Sequence, residues 1–153
     1  MALLNFCGWE TGDSSEAQSS SGTNSVQTSV VRTGTYAFRA NPTTTAVGNH
    51  RFAKHSTAGV ATTAFGVATL YHRFYFRIAT APAANEEQFY VVLDNGGSDK
   101  CYLTLNSSRN IKAYDNAGSL IGTGSTTLST NTWYRIELQT STGAGSTTFV
   151  VKI

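Results

Sequence analysis

Four residues of this chain combine a type and a spacing that suit a ligand platform: Tyr71, Arg73, Tyr75 and Trp133. All four fall on the non-core faces of two strongly alternating stretches. Exposed aromatic rings beside polar partners can stack on the apolar face of a pyranose. Tyr and Trp also anchor protein–protein contacts. The same four side chains therefore fit a sugar platform, an outer sheet cover or a subunit interface, and the sequence leaves these readings open.

Catalytic chemistry finds less support. Glycoside hydrolysis needs two carboxyl groups held about 5–10 Å apart across the scissile bond, and no strand carries such a pair on one face. Glu10, Asp13 and Glu16 are spaced three apart in a turn and loop. Glu86 and Glu87 are adjacent and read as solvated loop residues, while Glu137 is expected to pair with a neighbouring arginine. His50, His55 and His72 form no compact ligand set, and His72 reads as a hydrogen-bonded core histidine. No Ser occupies a nucleophile elbow and no Cys has a His close in sequence. Asp94, Asn95 and Asp99 around Gly96-Gly97 offer oxygen ligands for Ca²⁺, although hairpin turns select Asn and Asp for backbone reasons. The expectation is a non-enzymatic chain with no cofactor beyond that candidate Ca²⁺ site.

The strongest element is Thr69–Thr80. Leu70, His72, Phe74, Phe76 and Ile78 fall on one face, and Tyr71, Arg73, Tyr75 and Arg77 on the other. This period of two belongs to a pleated strand, and its length predicts a central strand. Further strands are predicted over 3–10, 26–31, 36–40, 49–53, 88–94, 100–106, 110–115, 119–122, 132–140 and 147–153, with a surface loop over 14–25. In 88–94 the alternation predicts Phe89, Val91 and Leu93 on one face; 100–106 answers with Cys101, Leu103 and Leu105. Residues 83–90 make the best helix case, yet run into β-branched residues and read as a loop or single turn. Gly59–Thr62 and Gly66–Thr69 echo each other without forming a repeat architecture. About ten short strands separated by turn signals predict an antiparallel sandwich.

Composition sets the outer bounds. A chain of 153 residues reads as one domain, with 40% hydrophobic and only 13% charged residues. A net charge of +2, with no Lys/Arg run, argues against nucleic acid, and a weakly charged surface suits a chain that assembles. No stretch of 18 apolar residues is present to span a membrane. Met1–Phe6 lacks the basic and apolar regions of a secretory signal and reads as the start of the first strand. Cys7 and Cys101 lack zinc-site spacing; either a cross-strand disulfide or two reduced, buried thiols is open.

Three anchors carry a family resemblance. Phe6–Asp13, with Trp9-Glu-Thr-Gly-Asp13, resembles the opening strand and turn of concanavalin A-like lectin/glucanase (laminin-G-like) domains. Val31–Phe38 is similar to the strand that follows it there, and Thr132-Trp-Tyr-Arg-Ile-Glu-Leu138 to the strand before their final hairpin. The resemblance implies an all-β jelly roll of two antiparallel sheets over residues 1–153; domains of this kind often bind Ca²⁺, for which Asp94, Asn95 and Asp99 are the candidates in this sequence. Domains of this kind usually continue past that hairpin, whereas this chain stops at Ile153, and two expectations stay open: the domain is minimal, or another chain fills the vacant edge. The alternating acids of the glucanases and the alginate-lyase motifs have no counterpart. The resulting expectation is a virion structural or adhesive protein of a bacteriophage, a homo-oligomer contacting other virion proteins. The alternative is a secreted or cell-surface lectin domain that binds glycan.

Overall fold

The computed structural model describes residues 12, 19–21, 24–40, 49–51, 69–83, 86–93, 99–143 and 146–153. They fall in two compact units, residues 1–65 and 66–153. The described residues form eleven strands and no helix, and every strand pairing is antiparallel.

In the first unit β1 (Ser19–Ser21) pairs with β4 (Asn49–Arg51), and β2 (Asn24–Gln27) with β3 (Ala37–Ala40). The loop predicted over 14–25 is thus interrupted by β1 and by the start of β2. Backbone ladders need no apolar side chain, so a Ser-rich stretch can pair without a burial signal. The strand predicted to reach Val31 ends at Gln27, whose side-chain carbonyl accepts from Val30 N–H at 2.8 Å and Ser29 Oγ at 2.7 Å. This local bonding holds a bend that competes with the ladder. Gly12 takes φ +80°, and a Cβ there would lie 3.0 Å from the Tyr36 ring. A side chain at Gly12 would therefore be strained and would have to displace that ring. The strand predicted over 3–10 and the echo at 59–69, apart from Thr69, lie outside the described residues.

The second unit holds β5 (Thr69–Arg77), β6 (Glu87–Leu93), β7 (Asp99–Leu105), β8 (Ile111–Asp115), β9 (Leu120–Thr123), β10 (Trp133–Gly143) and β11 (Ser146–Lys152). They form two sheets, ordered β11-β10-β5 and β6-β7-β8-β9. Leu103, Leu105, Ile111 and Ala113 from one sheet pack with Ile136 and Leu138 from the other, together with Ile78 and Leu128. Phe74, Phe76, Phe89, Tyr90, Tyr134 and Val151 flank this cluster. The arrangement is sandwich-like. Each buried Leu or Ile contributes on the order of 1.5–3 kcal/mol by leaving water.

β5 has the predicted faces and pairs with β10, which lies between β5 and β11. One expectation is corrected, in β6. In β6 the register shifts between Gln88 and Tyr90, leaving Phe89 as an extra residue. One inserted residue reverses the face of all that follow. Phe89 stacks on Phe76 at 4.6 Å, Tyr90 also points inward opposite Leu103, and Val91 turns outward with 38% exposure.

The connection 124–132 ties both sheets by backbone bonds. Gly124 N–H donates to Ile111 O at 2.8 Å, Leu128 N–H to Arg109 O at 3.0 Å, and Asn131 N–H to Ile78 O at 2.7 Å. Arg109 and Asn131 adopt φ near +60° to make these turns.

His72 faces inward from β5 as predicted, opposite Leu138. Its Nδ1 lies 3.0 Å from the Tyr90 hydroxyl, and Tyr90 stacks on Phe74 at 5.4 Å. Burial lowers the His72 pKa below 6.5 and raises that of Tyr90. The unfolded chain therefore binds a proton on this imidazole at a pH where the folded chain does not. His72 imposes no penalty above its unfolded pKa and a growing one as pH falls below it, until the folded pKa is passed. The urea midpoint is expected to fall between about pH 7 and pH 5, and the His72→Phe variant is expected to lose that part of the slope; an identical slope in the variant would exclude His72 as its source.

Candidate functional site

The alternation that buries Cys101, Leu103 and Leu105 in β7 turns Tyr102 and Thr104 to the opposite face. In β8, Ile111 and Ala113 face inward while Lys112 and Tyr114 face outward. Register places Tyr102 beside Tyr114 and Thr104 beside Lys112, with Gln88 of β6 next to Thr104. The two tyrosine rings lie nearly parallel, 5.1 Å apart with an 11° interplanar angle. Together they make one rigid aromatic wall.

Glu86, immediately before β6, places its carboxylate at the foot of this wall. Oε2 accepts from Thr104 Oγ1 and from the Tyr114 hydroxyl, both at 2.8 Å, and Oε1 accepts from Lys112 Nζ. The Lys112 bond chiefly lowers the Glu86 pKa, and the same bond raises that of Lys112. The Tyr114 phenol is pushed upward because it already donates to a carboxylate. Glu86 is thus held as an anion at neutral pH.

The β8–β9 turn completes the site. Asp115 Oδ1 accepts from Ala117 N–H at 2.9 Å and Ser119 N–H at 2.8 Å, and Gly118 supplies the φ of +79° that the turn requires. Glu86, Gln88, Tyr102, Thr104, Tyr114 and the turn 116–118 line an open depression of about 660 Å³. Chemically it presents aromatic wall, amide groups from Gln88 and Asn116, and one fixed negative charge. Among the described lining residues Glu86 is the single carboxylate.

The residues singled out from sequence lie elsewhere. Tyr71, Arg73 and Tyr75 of β5 and Trp133 of β10 share the outer face of the other sheet, where Arg73 stands opposite Glu137 and Tyr75 opposite Arg135. Tyr71 is 52% and Tyr75 41% exposed. Glu137 pairs with arginine as anticipated: its Oε1 lies 2.8 Å from Arg73 Nε and 3.3 Å from Arg135 Nε. Asp94 and Asn95 lie outside the described residues, while Asp99 opens β7 opposite Leu93. No cluster of three metal-binding side chains occurs among the described residues. Cys101 is a free, buried thiol whose pKa burial raises to about 12, which keeps it protonated and unreactive. Cys7 and His55 lie outside the described residues, and His50 falls in β4.

Sequence reading missed the Glu86 site. Glu86 precedes its strand and is exposed, as its sequence context suggests, but that context carries no sign of its partners. The available signal was indirect: the alternation of β7 and β8 already turned Tyr102, Thr104, Lys112 and Tyr114 to one face.

Residues 19–152 match the family described as SO2946-like, C-terminal domain, and the chain belongs to that family. No curated protein and no solved structure matches the chain.

The hydrogen bond to Glu86 raises the Tyr114 pKa. In Glu86→Gln the neutral amide no longer opposes the phenolate, so the Tyr114 titration is expected to move to lower pH, followed by tyrosinate absorbance and assigned with Tyr114→Phe. An unshifted titration would mean that the carboxylate does not govern this phenol.

Proposed function

We propose that this SO2946-like C-terminal domain is a non-catalytic carbohydrate-binding module, a jelly-roll sandwich of the concanavalin A-like kind that takes a neutral sugar against Tyr102 and Tyr114. The parallel ring pair beside an ionised carboxylate in an open depression carries this reading. A pyranose offers an apolar C–H face for the ring wall and hydroxyls for Gln88, Asn116 and Glu86. Each carboxylate oxygen has two acceptor sites, so Glu86 can accept a sugar hydroxyl while keeping its protein partners. With a single carboxylate, held ionised by three donors, the site supports recognition without bond cleavage. An extracellular setting, where glycans are displayed, goes with this reading.

A second reading is favoured by the sheet edges. Among the described residues β9 and β11 are edge strands; Leu120 and Ile121 of β9 are 52% and 41% exposed, and Val150 and Ile153 at the β11 edge are 45% and 44% exposed. Apolar side chains on edge strands invite pairing with another chain. They go with association between copies of the chain, and the second reading is a homo-oligomeric structural or adhesive part of a virion, a role that glycan binding would complement.

For the first reading, titration calorimetry against a panel of neutral oligosaccharides is expected to find a ligand whose affinity drops about tenfold or more in Tyr102→Ala. A panel without a binder, or a binder indifferent to Tyr102→Ala, would remove this assignment. For the second, light scattering is expected to show a defined oligomer that Leu120→Lys/Ile121→Lys converts to monomer. A wild-type monomer would end the assembly reading.

A further inference from the structure

We infer that the outer face of the β5–β10–β11 sheet is a second binding site, one that takes a carboxylated polysaccharide. The inference goes beyond the sugar site at Tyr102 and Tyr114 and does not depend on it.

Register sets the composition of this face. Arg73, Glu137 and Lys152 stand in one row, Tyr75 and Arg135 in the next, and Arg77 and Trp133 in the third, with Tyr71 beside Gln139 at the other end. Among the described residues of this face four cations meet one carboxylate. The whole chain carries only +2, whereas these five residues alone sum to +3 (four cations less one carboxylate). The cations are accessible: the Arg73 and Arg135 side chains are 65% and 58% exposed. Arg77 donates to the neutral Asn131 Oδ1 at 2.7 Å and keeps its charge uncompensated by that contact.

Spacing names the ligand class. Outward residues of a strand recur about every 6.7 Å, so Tyr71, Arg73, Tyr75 and Arg77 alternate ring and guanidinium over about 20 Å. A polymer of uronic acids repeats the complementary pair, a sugar ring and a carboxylate. Glu137 already shows how this face receives a carboxylate, with one oxygen between the Nε atoms of Arg73 and Arg135. Single-stranded nucleic acid also alternates ring and charge. The small total charge and the lack of any Lys/Arg run in the sequence favour the polyuronate.

The test is binding of the full chain to polygalacturonate oligomers, neutral glucan oligomers and oligothymidylate, at about 50 mM and about 200 mM salt. Polygalacturonate is expected to bind in preference to both other probes and to weaken at the higher salt. Arg73→Gln/Arg135→Gln and Tyr71→Ala/Tyr75→Ala are each expected to lower its affinity about tenfold, with Tm confirming that the exposed substitutions leave the fold intact. Any neutral sugar bound at Tyr102 is expected to be unaffected by these variants, which separates the two sites. No polygalacturonate binding at low salt, equal affinity in the variants, or tighter binding of oligothymidylate would overturn the inference.

Discussion

The exclusion of water between Leu103, Ile136 and Leu128 is the constraint on which residues 66–153 depend. One side chain comes from each sheet and the third from the connection between them, and none has measurable exposure. A pleated strand couples its two faces rigidly, so each buried residue fixes the direction of its neighbours. Leu103 in the core obliges Tyr102 and Thr104 to face out, and Ile136 does the same for Arg135 and Glu137. Both candidate binding faces thus inherit their geometry from one apolar layer.

The two outer faces have diverged chemically although they share that core. On the four-stranded sheet the charges cancel locally, with Glu86 and Lys112 paired above Thr104. On the three-stranded sheet Glu137 is shared by two arginines, and positive charge remains. Local cancellation favours recognition of neutral hydroxyl-rich surfaces, where desolvating a net charge would oppose binding. An unbalanced face attracts anions from a distance and responds to salt.

Much of this was legible in the sequence because one signal, a period of two, governs most of the second unit. It placed Cys101, Leu103 and Leu105 inside, set Tyr134, Ile136 and Leu138 against Trp133, Arg135, Glu137 and Gln139, and identified His72 as a core histidine. It failed where the period is interrupted. The extra Phe89 in β6 leaves no mark in composition, since Phe89, Tyr90 and Val91 all suit a strand. It failed again where pairing needs no burial, as in Ser19–Ser21. The Glu86 site escaped because its members come from the end of a loop and from two strands, and only register brings them together. That Tyr71, Arg73, Tyr75 and Trp133 each turn away from the core was readable because both strands alternate strongly, but that the two strands lie side by side is visible only in the register.

The connectivity of the two sheets also orders the events of folding. Strands β6 to β9 each pair with a neighbour in sequence across short turns, so their ladders close small loops. The β5–β10 ladder instead joins residues as far as 72 positions apart, at Thr69 and Ser141. Closing the larger loop costs more chain entropy before any contact offsets it. The four-stranded meander is therefore expected to close at the lower entropic cost, ahead of the ladder by which β10 brings β5 across. A chain with the first closed and the second open would present to solvent the apolar surface that becomes its core, and through it would associate.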